Sequence, residues 1–404
     1  MVKKPVQHHR TTTAAGSRIY SRENVGRYSE RARQRGRSKV ARRFFICTLV
    51  LVLVGGGAAL AMTLAKNAIN DSLNGNDGYL SNLANVLTDA NVSKDPFNVL
   101  LLGTDGRPGD TAYRSDSIIL AHIDPKKKTA ALISIPRDTK VEYKGTIMKV
   151  NETHAYGGPE AVVESVKNLC GVDINYYAEV SFDGMKALVD AVGGIDLYIP
   201  EGDAVDDPDA GPVKVESGQQ HLDGEAALTF CRARHQFADG DYTRMRHQRM
   251  VLGALAHKVL NSMDVTQIPS LLNSLSEMLI TTMNVDDIVG VIGSLKGMDT
   301  DNIWSANLPS HSGEDTYIDG KSYVFVDEDK LKEMMKRVEA GEDPKGPNSE
   351  GDSNAGATLG DLKNNSSDQW ASGEATTASS SSSDDGSSSD SGSESAVSDA
   401  GTAE

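Results

Sequence analysis

Apolar positions along this chain are arranged in several distinct ways, and each arrangement predicts a different element. Residues 44–65 (FFICTLVLVLVGGGAALAMTLA) form one uncharged apolar run of 22 residues, enough for a helix to cross a bilayer core of about 30 Å. Residues 66–95 are polar, with Asn, Asp and Gly breaks, and predict a stalk with one short helix around Leu80 to Leu87. Short apolar runs bounded by turn residues come next: 98–102 (NVLLL), 117–123 (SIILAHI) and 129–135 (TAALISI), the last stopped by Pro136. They predict three strands in an antiparallel meander. A tight turn centred near Lys126 then sets Asp116 opposite Pro136, and the preceding loop sets Gly103 near Asp116. Further on, KVNETHAYGG (149–158) leads into a helix from Pro159 to Leu169. A second helix, Asp183 to Val192, ends at Gly193-Gly194, and Ile195 to Ile199 is another strand. A short helix over Gln219 to Thr229 and a long one from Asp241, capped by Asp239 or Asp241, complete the pattern. Helices and strands alternating after a meander predict an α/β domain: a mixed central sheet with helices on both faces, preceded by one transmembrane helix.

The last helix is unusual. At roughly 100° per residue, Asp241, Arg244 and Gln248 fall within about 60° of one another. Met245, Leu252, Leu255, Ala256 and Val259 share that face. An amphipathic helix normally keeps charge away from its apolar stripe, yet here the first two turns point charge where the later turns point hydrocarbon. Buried charge is costly unless paired or bound to something. An internal Asp241–Arg244 salt bridge is the plain explanation, and a bound anion is the alternative.

Charge sharpens the domain division. The 404 residues carry a net charge of −16, but residues 1–43 hold thirteen Lys or Arg against two Glu. Residues 341–404 hold thirteen acidic residues against two Lys, amid Ser and Gly. The division is a basic arm (1–43), a membrane helix (44–65), a stalk (66–95), a globular domain (96–338) and a disordered acidic Ser-rich tail (339–404). Arg42 and Arg43 precede the apolar run and only Lys66 follows closely, so the arm is expected in the cytoplasm and the domain outside the cell membrane. Three cysteines are too few for a disulfide framework. Cys170 and Cys231 read as buried free thiols, although a bridge between them is chemically allowed outside the cell.

Several catalytic classes are excluded by motif. The nine histidines include no HExxH or HxH pairing, and GxSxG before a helix and GxxxxGK[ST] are both absent. What remains is arginine with aspartate. The meander gathers Asp105, Arg114, Asp116, Arg137 and Asp138 at one end of the sheet. Two carboxylates beside arginines make a seat for a divalent cation and a phosphate, although strand ends and turns are commonly polar in any case.

These residues carry a resemblance. GTD (103–105), RSD (114–116), SIPRD (134–138), KVN (149–151) with YGG (156–158), GGIDLYIP (193–200), LDGEAAL (222–228), RAR (232–234) and GDYTRMRHQ (240–248) resemble, in order, the motifs of the LytR-CpsA-Psr family. The resemblance spans roughly residues 97 to 260. It implies a membrane-anchored enzyme that takes a glycopolymer from a polyprenyl-pyrophosphate carrier and attaches it through a phosphodiester to peptidoglycan or another wall acceptor. By the same resemblance, Asp105 and Asp116 match the aspartates that hold Mg²⁺ (or Mn²⁺). Arg114, Arg137, Arg232, Arg234 and Arg244 match the arginines around the pyrophosphate, with Lys149 and Gln248 as further polar contacts. Asp241 matches the aspartate that orients the arginines, and Asp105, Arg114, Asp116 and Asp241 are the catalytic candidates. The polyprenyl tail is expected in an apolar tunnel walled by the helices from Asp183 and Met245. Cys231 departs from the family pattern, standing where a Val or similar residue often precedes the RxR, and no second folded domain is expected after the catalytic region, the acidic Ser-rich tail standing in its place.

Two other readings compete. One is a regulator acting through the basic arm; the arm lacks helix-turn-helix periodicity and interleaved aromatics, so no nucleic-acid partner is expected. The other is a pyrophosphatase that cleaves the lipid carrier without transfer.

Overall fold

The computed structural model describes residues 63–74, 79–105, 115–276, 278–299 and 302–344. The basic arm, residues 44–62 of the apolar run, Arg114 and the acidic tail lie outside the described residues. Among the described residues, no helix is long and apolar enough to cross a membrane.

The first helix, α1, covers residues 63–73. The meander follows as β1 (Phe97–Thr104), β2 (Ser115–Asp124) and β3 (Thr129–Ser134). A small hairpin, β4 (Lys140–Tyr143) and β5 (Thr146–Lys149), leads into α2 (Val150–Cys170). Next are β6 (Tyr176–Ser181), α3 (Phe182–Ala191), β7 (Ile195–Ile199) and β8 (Gly218–Leu222). The remainder runs α4 (Gly224–Arg232), α5 (Asp241–Ser262), α6 (Ile268–Leu275), β9 (Leu279–Thr281), α7 (Val285–Leu295), β10 (Ile303–Asn307) and α8 (Glu328–Glu339).

Six strands form one mixed sheet in the order β10-β3-β2-β1-β6-β9, with β10–β3 and β1–β6 parallel and the other pairs antiparallel. Alternation along the strands divides the core. Leu100, Leu102, Ile118, Leu120, Ala131 and Ile133 pack with Val162 and Val166 of α2 and Leu331 and Met335 of α8. Val99, Ile119, Ala121 and Leu132 face the other way, toward Leu260 of α5 and Leu295 of α7. The expected mixed sheet with helices on both faces is therefore present. Beside it, α3, α4 and α5 enclose the β7–β8 hairpin in a core that includes Val189, Ile195, Leu197, Phe230 and Val251. The stretch read as a stalk packs onto the domain: Ile69 and Leu73 of α1 sit against Ile268, Leu272 and Val285, and Leu80 and Leu83 join the α2 side of the core.

Three elements differ from the sequence pattern. Residues 150–156, read as a leader, are already helical, and α2 breaks at Gly157 and Gly158 before resuming at Pro159. Gly158 has φ 67° and ψ −160°, a conformation essentially reserved for glycine, and proline suits the first turn of the resumed helix. Gln219 to Leu222, read as helix, pair with β7 as strand β8; cross-strand partners override local propensity there. Neither expected aspartate caps α5. Gly240 takes that place at φ 46°, Asp239 accepts the Thr243 hydroxyl, and Asp241 becomes the first helical residue.

Register decides how the site is built. The pairs Asp124↔Thr129 and Ile119↔Ser134 are offset by one residue from the expected pairing of Asp116 with Pro136, because the turn occupies residues 125–128. On the other side, Gly103 pairs with Ser117 and Thr104 with Ser115, so Asp116 is the extra residue of a bulge. Regular alternation would send Asp116 toward α2 with Ile118 and Leu120. The bulge re-aims it beside Ser117, on the α5 side.

His122, His247 and His257 are each pushed below the ordinary imidazole value of 6.5, chiefly by burial, with Asp124, Asp203 and Asp196 respectively opposing the shift. A base whose folded pKa is lowered binds protons better when unfolded, so stability is complete above pH 6.5 and falls as pH drops through the folded values. Chemical denaturation between pH 7 and 5 is expected to show that decline, and His247→Asn to make it shallower.

Candidate functional site

The sheet's β1–β2 end, the N-terminus of α5 and the C-terminus of α4 enclose a cavity of about 280 Å³. Seven residues singled out from the sequence line it: Asp105, Asp116, Arg137, Arg232, Arg234, Arg244 and Gln248. Each arrives from a different structural cause. Asp105 follows β1 directly, Asp116 projects from the bulge, and Arg137 follows the Pro136 stop after β3. Arg232 is the last residue of α4, Arg234 follows it, and Arg244 and Gln248 are one helical turn apart on α5.

Three of these groups, Asp116, Arg137 and Arg244, close into a ring with Asp241. Arg137 Nη1 donates to Asp116 Oδ1 at 2.8 Å, and Arg137 Nε lies 4.0 Å from Asp241 Oδ2. Asp241 Oδ1 is 2.9 Å from Arg244 Nη2, which donates to the Asp116 carbonyl at 3.0 Å. The salt bridge suggested by the sequence thus exists, and it is one side of a larger array. Burial would lower the Arg137 pKa, but Asp241 and Asp116 outweigh it and leave it raised. Arg244 is buried more deeply, and its pKa is lowered by that burial and by Arg137 and Arg234 against the pull of Asp241 and Asp116. Guanidinium remains charged in either case. Gln248 accepts the Ser117 hydroxyl at 2.9 Å, which ties α5 to the bulge. Gly103 keeps that crossing close, since a Cβ there would lie 3.0 Å from the Ser117 Cβ.

Two expected groups stand apart. Lys149 does not line the cavity; its Nζ pairs with Asp138 Oδ1 at 3.1 Å. Asp241 lines an adjoining cleft with Asp138, Asp239 and Tyr242, and the walls between the two spaces are Arg137, Arg234 and His235. Arg114 falls outside the described residues. The sequence reading missed Asp207, Asp209 and His235 at the cavity, because nothing in their spacing relates the β7–β8 connection to the α4–α5 connection. It also missed Arg249, fully buried on α5 and hydrogen-bonded to Ser134 Oγ (2.7 Å), Ser305 Oγ (3.1 Å) and Asn307 Oδ1. The cavity also has an apolar lining, with Leu101, Ile119, Val180, Phe182, Met185 and Leu252. Phe182 and Met185 belong to α3 and Leu252 to α5, the two helices expected to wall a lipid tunnel.

Asp105 and Asp116 offer two carboxylates to one space, the all-oxygen donor set of a hard divalent cation. Cys170 and Cys231 are free and buried in different cores, and burial pushes both thiols up to about 12.

The sequence model of the LytR_cpsA_psr family matches residues 60–340. A polyisoprenyl-teichoic acid–peptidoglycan teichoic acid transferase, TagV of Bacillus subtilis (strain 168), is 32% identical over 293 residues, covering 69% of this chain and 72% of that protein. An enzyme of the same description, TagU of Enterococcus faecalis, is 31% identical over 299 residues, covering 72% of this chain and 93% of its own. The crystal structure of B. subtilis TagV superposes with a TM-score of 0.53 at 29% identity, over 61% of this chain and 97% of its own. A structure described as TagT bound to LIIa-WTA superposes with a TM-score of 0.53 at 27% identity, over 63% and 93%.

The buried thiols generate a direct check. Mass mapping after maleimide treatment of the native protein at neutral pH should find Cys170 and Cys231 unmodified, and both modified once denaturant is added.

Proposed function

The chain belongs to the LytR-CpsA-Psr family, and from that premise we infer that it transfers a glycopolymer from a polyprenyl-pyrophosphate carrier to a cell-wall acceptor. The relatives' names specify teichoic acid as the polymer and peptidoglycan as the acceptor. The observation that carries the reading is the cavity's dual character: guanidinium groups and carboxylates share one space with Leu101, Ile119 and Leu252, and the Arg232 guanidinium lies over the Phe182 ring at 5.3 Å. A pyrophosphate with an isoprenoid tail has the same dual character.

In the reaction, an acceptor hydroxyl oxygen bonds to the sugar-proximal phosphorus while that phosphorus loses its bond to the bridging oxygen. Polyprenyl phosphate leaves with the bridging oxygen, the hydroxyl proton passes by way of solvent to that leaving phosphate, and the acceptor oxygen carries the new phosphodiester. Negative charge spreads over the phosphoryl oxygens, and Arg137, Arg232, Arg234 and Arg244, which line the cavity, would neutralise it. Asp241 holds Arg137 and Arg244 in that array. Asp105 and Asp116 are the residues that would hold Mg²⁺ (or Mn²⁺), and the ion when bound would neutralise charge on the pyrophosphate oxygens. The apolar run 44–65, with Arg42 and Arg43 before it, anchors the chain as a single-pass membrane protein with this domain outside the cell.

Transfer is tested with a lipid-pyrophosphate-linked glycan donor and a peptidoglycan acceptor. Asp116→Ala and Arg234→Ala, each with an unfolding transition like that of the parent, are expected to lower acceptor-linked product by roughly 10²–10³-fold. Undiminished transfer in both removes the assignment. Free glycan phosphate in place of acceptor-linked polymer identifies a pyrophosphatase.

A further inference from the structure

Outside the charged ring, one group of side chains is arranged around a common point. Asp207 and Asp209 from the β7–β8 connection and His235 from the α4–α5 connection bring one ligand atom each within 4.8 Å of one another. All three line the cavity. His235 Nδ1 lies 3.5 Å from Asp209 Oδ2, and both side chains are well exposed. Asp207 differs from them: the residue is only 9% exposed, and its Oδ2 is buried with no hydrogen-bond partner. Its other oxygen accepts the Asp209 backbone N–H at 3.0 Å, which fixes the carboxylate orientation. A buried carboxylate oxygen with no donor is costly unless a cation meets it. The two connections are also fastened together, since Gln236 Oε1 accepts the Asp206 N–H at 2.8 Å and Gln236 Nε2 donates to the Ala204 carbonyl. The fold therefore holds the two ligand-bearing loops together.

We propose that Asp207, Asp209 and His235 form a divalent transition-metal site at the edge of the donor cavity, of the Zn²⁺ class. An imidazole with carboxylates selects a borderline cation, whereas the oxygen-only pair Asp105 and Asp116 suits a hard one. The site is thus distinct in residues and in chemistry from that pair. Metal on Nδ1 has a further consequence for Arg234, whose Nε donates to His235 Nε2 at 3.2 Å. A neutral imidazole ligated through Nδ1 carries its proton on Nε2, so that nitrogen no longer accepts from Arg234. Loading the site would therefore release Arg234 Nε toward the cavity.

The test is calorimetric titration of Zn²⁺ into the full-length chain in detergent, in excess Mg²⁺, with His8 and His9 replaced by Ala so that this N-terminal pair contributes nothing. One Zn²⁺ per chain is expected. His235→Ala and Asp209→Asn should each weaken it by at least about tenfold, while Asp105→Asn keeps both stoichiometry and affinity. His235 and Asp209 are exposed, so these variants are informative even if Asp207→Asn unfolds. Absence of Zn²⁺ uptake, or uptake indifferent to His235→Ala, overturns the proposal. The readout needs no donor or acceptor, so its failure leaves the transfer reading untouched.

Discussion

Everything at the cavity depends on holding several like charges together in a space partly shielded from water. Two unit charges about 4 Å apart repel by roughly 4 kcal/mol at an effective dielectric near 20. Burial adds a desolvation cost for each ion that lacks a partner. Alternation answers both problems: Asp116, Arg137, Asp241 and Arg244 follow one another with opposite signs, and Arg244 returns to the Asp116 carbonyl. The ring draws on β2, the turn after β3 and the first turn of α5, so it also fixes the helix against the sheet. Asp241 serves this ring and not the helix cap, which passes to Gly240.

Along α5 the same constraint continues in another form. Arg249 is fully buried in the middle of the helix, two turns beyond the ring's Asp241, and takes hydroxyl and amide partners from β3 and β10. Its partners Ser134, Ser305 and Asn307 are themselves buried polar residues in strands otherwise rich in hydrocarbon. The helix that supplies Arg244 and Gln248 is thereby held to the sheet by polar groups at two levels, with Leu252 and Leu260 packing beyond. A site that must present charge at defined positions rests on an element fixed in this way.

Much of this was legible in the sequence because the determinants are local. Apolar runs closed by turn residues located β1, β2 and β3, and Pro136 ended β3 where expected. Helical periodicity placed Arg244, Gln248 and Leu252 on one face, and they line one cavity. The family resemblance brought Arg232 and Arg234 to it. What the sequence concealed was tertiary. Gln219 to Leu222 became strand only because β7 lies beside them, and VNETHAY coiled into helix because Gly157 and Gly158 allow a break ahead of Pro159. Lys149 found Asp138 as its partner, a pairing that register counting does not reach. Asp207 and His235, 28 positions apart by number, meet only because two loops converge.

Asp116 sits at the bulge, and the consequence concerns how such a chain can change. The bulge holds one residue more than the sheet needs. Deleting a single residue there would let β1 and β2 pair without interruption, fill the same core and fold to much the same outline. Yet the carboxylate would turn to the opposite face, among Ile118 and Leu120, and Arg137 would lose its partner. Shape and chemistry can therefore come apart in one step at this position. Substitutions leave that odd residue in place, but a change of length does not. Among relatives sharing this architecture, the bulge together with an acidic residue at its odd position would separate chains that retain the site from those that have kept only the scaffold.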